Sequence, residues 1–286
     1  MPESQAHAVA RAAELLAQAD GLIVTAGAGM GVDSGLPDFR GSAGFWRAYP
    51  ALQQAGLAFE DVASPHTFTH EPRLAWGFYG HRLQRYRSTV PHAGFQVLQR
   101  WGARLQHGAW VFTSNVDGQF QKAGFAPRRL AECHGSIHWL QCTECEALPW
   151  PADALAVNVD EARCRWLGPL PTCPHCGALA RPNILMFGDG AWREERTQAQ
   201  LGALQQALAG MRRPVVVELG AGTAIPSVRH FGHRVLLEHG ARLVRINPRE
   251  SSVPTAQDVG LALGAAAALS ALDTALDTAL GAAPPG

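Results

Sequence analysis

The chain has 286 residues, of which 47% are apolar, and its 24 basic and 24 acidic residues give a formal net charge of zero. This length suffices for one large core or for a core with a small module, and the charge balance excludes a global attraction to nucleic acid or membrane. No apolar run approaches the ~20 residues that span a bilayer, and the acidic N-terminus does not fit a signal peptide. We therefore expect a cytoplasmic protein without nucleic-acid or membrane partners.

Four short apolar runs, each followed by a polar or glycine-rich loop, predict buried parallel strands. These runs lie at 22–25, 110–113, 214–219 and 242–246. Helical patterns occupy 4–19, 92–106 and 193–210, and a stretch rich in Ala and Leu at about 255–282 predicts a closing helix. This alternation predicts an α/β fold with a doubly wound, Rossmann-like parallel sheet, in which ligands bind beyond the carboxyl ends of the strands.

Two segments interrupt the alternation of strands and helices. The first, at 42–91, is helical and aromatic, and the second, at 136–181, contains two cysteine pairs. We expect both to form a smaller helical and zinc-binding domain that packs over the ligand edge of the sheet. The Rossmann-like domain would then consist of 1–41, 92–135 and 182–286.

The first predicted strand leads into the run G-A-G-M-G-V-D-S-G-L-P-D-F-R-G at 27–41. Glycines between a strand and a helix let the backbone approach a pyrophosphate, while the first N–H groups of the helix face it. The match to G-x-G-x-x-G is imperfect, because Val32 occupies the place of the third glycine. For this loop taken alone, a tight turn without a ligand is therefore the alternative.

Two C-x2-C pairs, separated by 27 residues, predict a metal site. The pairs are formed by Cys142 and Cys145, and by Cys173 and Cys176. Thiolates in this pattern are typical of tetrahedral zinc, and four of them leave no open coordination position. We therefore expect one structural zinc ion per chain. Disulfide bonds are the alternative, although they suit small secreted scaffolds better than a chain of this kind.

The run at 27–41 resembles the signature of the sirtuins, the family of NAD-dependent protein-lysine deacylases. Further motifs resemble that family in the same chain order, over about residues 20 to 250. They are T-S-N-V-D at 113–117, C-H-G-S at 133–136, the four cysteines, R-P-N-I-L-M-F-G-D at 181–189, G-A-G-T at 220–223 and I-N-P at 246–248. The resemblance implies NAD as the cofactor and acylated lysine side chains of proteins as the substrates.

Residue by residue, the resemblance also implies roles in the site. His134 would be the general base, because a histidine with a near-neutral pKa can accept a ribose hydroxyl proton. Asn115 and Asp117 would line the nicotinamide pocket, and Phe187 and Gly188 would contact the substrate. The residues implied in NAD binding are Gly27, Ala28, Gly29, Asp38, Phe39, Arg40, Ser114, Gly220, Gly222, Thr223 and Asn247.

Three sites depart from the family pattern. Ser114 replaces a glutamine, Gln119 and Phe120 occupy what is usually a Leu-His pair, and Asp189 replaces a glutamate. Because a serine hydroxyl reaches less far than an amide, we expect the ribose to be positioned differently or through water.

The predicted helix at 74–86 places Tyr79 and Arg82 three residues apart and therefore on one face. They resemble the Tyr-x-x-Arg pair of sirtuins that accept malonyl, succinyl or glutaryl lysine. A guanidinium with a phenol beside it can clamp a terminal carboxylate. The pair is also compatible with deacetylation, and a solvent-exposed amphipathic helix is the alternative.

The leading hypothesis is an NAD-dependent lysine deacylase that releases nicotinamide and O-acyl-ADP-ribose. One alternative is a protein ADP-ribosyltransferase, since another nucleophile could capture the ribose. A second is a weakly active NAD-binding sensor whose zinc module serves a protein partner. The presence of His134, Asn115 and Asp117 disfavours the sensor, while Ser114 keeps it open.

Overall fold

A six-stranded parallel sheet forms the centre of the computed structural model, which describes residues 3–37 and 49–281. The strands of the described residues are β1 Gly21–Ala26, β2 Ala109–Thr113, β3 Leu130–Glu132, β4 Gly135–Cys142, β5 Trp150–Pro151, β6 Val159–Asp160, β7 Arg165–Trp166, β8 Ala180–Ile184, β9 Pro214–Leu219, β10 Arg242–Ile246 and β11 Val259–Leu261. The sheet has the order β11-β10-β9-β1-β2-β3. The chain therefore winds outward from β1 in one direction and then from β9 in the other, which leaves a crevice at the carboxyl ends of β1 and β9.

The predicted doubly wound parallel sheet is confirmed, and all four predicted strands belong to it. Every residue of β1 and β9 is buried, which explains why these segments are almost continuously apolar rather than alternating. The sequence pattern missed the two edge strands, β3 and β11, because three residues are too few to show a period.

Helices cover both faces of the sheet. The α-helices of the described residues are α1 Glu3–Ala17, α2 Gly29–Val32, α3 Pro50–Gln54, α4 Phe59–Val62, α5 Pro65–His70, α6 Pro72–Ser88, α7 Gly94–Arg104, α8 Gln119–Lys122, α9 Glu195–Ala209, α10 Ser227–His239 and α11 Ala265–Gly281. Apolar residues of α1, α7 and α11 pack on one face, and those of α9 and α10 pack on the other. Among the described residues, no helix has the length and apolar character that crossing a bilayer requires.

The closing helix α11 is shorter than the sequence predicted. It begins at Ala265, ten residues after the start of the predicted stretch, because β11 takes Val259–Leu261 into the sheet beside β10. The Asp258 side chain fixes this arrangement, since it accepts a hydrogen bond from the backbone N–H of Leu243 at 3.0 Å.

A separate hydrophobic cluster lies outside the main sheet. Its buried members come mainly from 49–86 and 137–186, and the largest include Phe68, Trp76 and Phe78. The antiparallel strands β5, β4 and β8 form a small sheet within this region. This cluster supports the division into two domains, which stays a prediction.

The four cysteine sulfurs lie together, on residues between the last position of β4 and the start of β8. The sulfur of Cys142 is 3.5 Å from that of Cys176, the sulfur of Cys145 is 3.7 Å from that of Cys173, and all four lie within 4.8 Å of one another. A zinc ion with Zn–S bonds of about 2.3 Å requires sulfur–sulfur edges of about 3.8 Å. The four side chains therefore fit a tetrahedral zinc ion, and disulfide pairing is wrong, since all four cysteines are free.

We expect one tightly bound zinc ion per chain. Replacing Cys142 or Cys173 by Ser should abolish zinc binding and soluble folding, because structural zinc can contribute on the order of 10 kcal/mol of apparent free energy. Metal analysis with thermal unfolding measures both effects. Cys164→Ser is the matched control, since Cys164 is equally buried but lies outside the cluster, and it should retain the zinc. A folded, zinc-free wild type would contradict the prediction.

Candidate active site

One cavity of about 310 Å³ lies at the carboxyl edge of the parallel sheet, and several of its lining residues belong to the separate hydrophobic cluster. Its walls come from loops that follow β1, β2, β3 and β9, from α6, and from the segment after β8. It brings together eight of the sequence-predicted site residues: Ala28, Tyr79, Arg82, Ser114, Asn115, Asp117, His134 and Phe187. Segments that lie far apart in the chain thus converge on one site.

The glycines at 27, 29 and 220 lie beside the cavity and hold two loops together. The backbone N–H of Gly29 donates to the carbonyl oxygen of Gly220 at 3.0 Å. A Cβ atom on Gly29 would lie 2.6 Å from the Cα of Gly220, and Gly220 has a φ of +59°. Both positions therefore require glycine for the contact between the loops after β1 and β9. Of this glycine loop, Ala28 lines the cavity.

Asn115 and Asp117 follow β2 and are fixed by backbone contacts. The side-chain amide of Asn115 donates to the carbonyl oxygen of Gly27 at 2.9 Å, so it ties the loop after β2 to the glycine loop. The Asp117 carboxylate accepts the backbone N–H of Gln119 at 2.9 Å. Burial raises the pKa of Asp117 to about 6. The cavity therefore contains a carboxylate that titrates close to neutrality.

His134 lies in the turn between β3 and β4 and contributes to the cavity wall. The next residue, Gly135, has a φ of +74°, and a Cβ atom there would lie 2.1 Å from the carbonyl oxygen of Asn183. This close approach fixes the turn that carries the imidazole. The Nε2 atom of His134 is 3.3 Å from the hydroxyl oxygen of Ser227, the first residue of α10. An imidazole held in this way can take up and release a proton.

Other residues predicted to bind NAD lie outside the cavity, in the loops after β9 and β10. The Asn247 side chain donates to the carbonyl oxygen of Ala221 at 3.0 Å and accepts the backbone N–H groups of Arg249 and Glu250. The Thr223 hydroxyl lies 3.2 Å from the Glu250 carboxylate. Gly222 belongs to the same loop. The predicted residues Asp38, Phe39 and Arg40 lie outside the described residues.

Tyr79 and Arg82 are buried on α6, with 1% and 7% of their surface exposed, so the alternative of a solvent-exposed helix is wrong. Both residues line the cavity. Burial raises the pKa of Tyr79 to about 12, which keeps its hydroxyl protonated at neutral pH. Arg82 donates from Nε and Nη2 to the Tyr86 hydroxyl, at 3.1 and 2.9 Å. The site therefore contains a buried guanidinium and a protonated phenol.

The segment after β8 is anchored by a buried ion pair. The Arg181 guanidinium meets the Asp189 carboxylate through two contacts of 2.7 and 2.9 Å, and both side chains are almost fully buried. Phe187 lies between these residues in sequence, is 41% exposed, and packs edge-on against Phe59. Gly188, with a φ of +65°, shapes the turn but is not a cavity-lining residue.

Sequence reasoning missed Tyr86, Ser227 and the role of Gln119. Tyr86 lies four residues after Arg82 on the same helix, and this spacing could have identified it. Ser227 is 93 residues from His134 and carries no comparable signal. Gln119 is 1% exposed and its side chain donates to the carbonyl oxygen of Tyr86 at 3.3 Å, so it links the loop after β2 to α6.

Comparison with known proteins gives a consistent assignment. The sequence profile of the Sir2 family matches residues 27–208. An NAD-dependent protein deacylase of Thermococcus kodakarensis is 30% identical over 254 residues, which cover 87% of this chain and 88% of the relative. NAD-dependent protein deacylase 1 of Pseudomonas aeruginosa is 32% identical over 239 residues, covering 82% of this chain and 86% of the relative.

Solved structures share the fold. A complex of a mutant Sir2 homologue with ADP-ribose superposes with a TM-score of 0.72 at 22% identity, over 100% of both chains. A Sir2 homologue–NAD complex has a TM-score of 0.70 at 23% identity, over 94% of both chains. Because the family profile spans most of the chain and a curated relative shares 30% of its residues, the protein belongs to the Sir2 family, the sirtuins that its motifs predicted.

Proposed function

We propose that this protein is an NAD-dependent deacylase of protein lysine side chains, which transfers the acyl group to ADP-ribose and releases nicotinamide. One observation carries the proposal: a single cavity at the crevice of the sheet contains the imidazole of His134, the carboxylate of Asp117 and the guanidinium of Arg82. The deacylase names of the relatives from T. kodakarensis and P. aeruginosa support it.

The residues around the crevice fit NAD. Bound NAD would supply an electrophilic ribose carbon as nicotinamide departs, which an amide oxygen held in line can capture. We infer that Gly27, Ala28 and Gly29 hold the pyrophosphate, since the close approach of Gly27 and Gly29 to Gly220 leaves no side chain between the two loops. Asn247 would contact the adenosine ribose. The NAD site would also include Gly220, Gly222 and Thr223 in the loop after β9. Ser114, which is 3% exposed and lines the cavity, would face the second ribose.

His134 is the general base in this proposal. Its imidazole would accept the proton of a ribose hydroxyl, so that this oxygen forms a bond to the acyl carbon. Water would then add to the same carbon as its bonds to the lysine nitrogen and to the original amide oxygen break. The free lysine amine would leave, and the amide oxygen would stay on the ribose carbon. Asn115 and Asp117 would hold the nicotinamide carboxamide, because an ionised carboxylate accepts an amide N–H bond strongly. Phe187 and Gly188 would lie along the peptide backbone of the substrate.

Mass spectrometry of acyl-lysine peptides incubated with the protein and NAD tests the proposal. Release of nicotinamide together with O-acyl-ADP-ribose supports a deacylase. An ADP-ribosylated protein or peptide would instead identify a transferase that uses another nucleophile. No product under conditions in which NAD binds would identify a sensor.

We further propose that the part of the cavity lined by Tyr79 and Arg82 accepts acyl groups that end in a carboxylate, such as those of succinyl and malonyl lysine. Tyr79 and Arg82 are buried at the cavity, where a charge-assisted contact is stronger than in water. Burial keeps the hydroxyl of Tyr79 protonated by raising its pKa to about 12, which suits a group that donates to a ligand. The carboxylate of an acyl chain would accept hydrogen bonds from both side chains.

His134→Ala should largely abolish acyl transfer while NAD affinity stays nearly unchanged. Removal of a general base typically lowers the rate by roughly 10²–10⁴-fold. Turnover of acyl peptide and calorimetric titration with NAD measure the two effects separately. Equal loss of affinity and rate would assign His134 a positioning role, and unchanged turnover would exclude it as the base.

Asp117→Asn should stabilise the protein above about pH 6 while it lowers activity. The pKa of Asp117 in the folded protein, about 6, exceeds its ordinary value of 3.8, so wild-type stability is greatest below about pH 4 and falls as the pH rises through 6. Asparagine does not titrate, so the unfolding free energy of the variant does not fall in the same way. The difference in unfolding free energy between the variant and the wild type should therefore grow by on the order of 3 kcal/mol from about pH 4 to about pH 6. Urea unfolding of both proteins between about pH 4 and 8 measures it, and a difference independent of pH would contradict the raised pKa.

Arg82→Met should lower the turnover of succinyl-lysine peptide far more than that of acetyl-lysine peptide. A hydrogen bond to a charged group contributes about 1.5–3 kcal/mol, so the ratio of the two kcat/KM values should fall roughly tenfold or more. Tyr79→Phe should shift the ratio in the same direction by less, because it removes one hydroxyl. A ratio that stays constant in both variants would show that neither residue contacts the acyl group.

A further inference from the structure

Tyr86 lies one helical turn beyond Arg82 and holds its guanidinium. The Tyr86 hydroxyl accepts both the Nε and the Nη2 hydrogen bonds of Arg82. Both side chains line the cavity, and 4% of Tyr86 is exposed. The rings of Phe59, Phe78 and Tyr79 surround the same guanidinium, with its carbon 5.2 to 5.9 Å from their centroids.

This arrangement orders the charged group before a ligand binds. A guanidinium recognises a carboxylate best when its planar fork meets the two oxygens in one plane. One oxygen atom that accepts both Nε and Nη2 hydrogen bonds fixes the rotation of that plane, and thereby the direction of the donors on Nη1. Less conformational entropy is then lost when an anion is bound.

Tyr86 is itself held by the segment that follows β2. Its carbonyl oxygen accepts the Gln119 side-chain amide at 3.3 Å, and the Gln119 backbone N–H donates to the Asp117 carboxylate. The end of α6 is therefore tied to the loop after β2. Both hydrogen bonds involve atoms that a change of the Tyr86 hydroxyl leaves in place.

We propose that Tyr86 is a positioning residue for acyl selection: its hydroxyl holds the Arg82 guanidinium in the orientation that receives the terminal carboxylate of an acidic acyl group. The inference rests on the proposed deacylase function and on its acidic acyl pocket. It adds a residue that does not touch the acyl carboxylate itself but acts through Arg82.

A double-mutant cycle separates this role from a purely structural one. Tyr86→Phe keeps the aromatic ring and removes the acceptor, so the kcat/KM ratio of succinyl to acetyl peptide should fall about fivefold, mainly through the KM of the succinyl peptide. In the Arg82→Met background the same change should alter the ratio less than about twofold, because the group that Tyr86 positions is absent.

Tyr49→Phe is the matched control. The Tyr49 hydroxyl is buried in the same aromatic cluster but bonds to His81 Nδ1 at 2.8 Å, and its loss should leave the ratio unchanged. A Tyr86→Phe ratio equal to that of wild type, or an equal drop in the Arg82→Met background, would overturn the inference. So would a wild type that deacetylates but ignores succinyl lysine.

Peptide binding distinguishes failure of the inference from failure of the proposed function. Fluorescence anisotropy of labelled succinyl- and acetyl-lysine peptides with the full-length protein requires no turnover. Weaker binding of the succinyl peptide alone in Tyr86→Phe supports the role of Tyr86, even if no deacylated product forms. Equal binding of both peptides by Tyr86→Phe and wild type overturns it.

Discussion

The site depends on the direct backbone contact between the loops that follow β1 and β9. These strands are neighbours in the sheet, although they are almost 200 residues apart in the chain, because the winding reverses between them. Gly29 and Gly220 approach so closely that no side chain fits at either position. The contact leaves a backbone-lined crevice at the reversal of strand order, where α/β sheets bind dinucleotides. The Asn115 amide bonds the loop after β2 to the same glycine loop.

Buried charged groups fix the walls of the cavity and determine which ligands it can bind. Ion pairs from Arg181 to Asp189 and from Arg196 to Glu132 anchor the segments that flank the cavity, so these segments are fixed by contacts that are costly to break. Asp117 and Arg82 lie inside the cavity, where burial strengthens their effect on a bound ligand. The zinc site lies beside the paired strands β4 and β8, and none of its cysteines lines the cavity.

Much of the fold could be predicted from the sequence, because the information is local. Continuous apolar runs identified β1, β2, β9 and β10, and cysteine spacing identified the zinc site. Contacts between distant segments could not be predicted. The pairing of Ser227 with His134 depends on where α10 begins, and β11 lay hidden in a stretch that favours helix. The glycines of the loop after β1 were predicted to let a ligand approach the backbone. In the structure, however, the atoms closest to them belong to the neighbouring loop after β9.

In this mechanism one cavity joins NAD cleavage to acyl transfer, so the acyl oxygen must pass to the ribose. An acyl-lysine peptide labelled with ¹⁸O at the acyl carbonyl, with the products followed by mass spectrometry, detects that transfer. If the amide oxygen captures the ribose carbon, the label must appear in the ADP-ribose part of the product, and nicotinamide must be released in equal amount. Label retained in a free carboxylic acid, with NAD left intact, would show simple hydrolysis and exclude this mechanism.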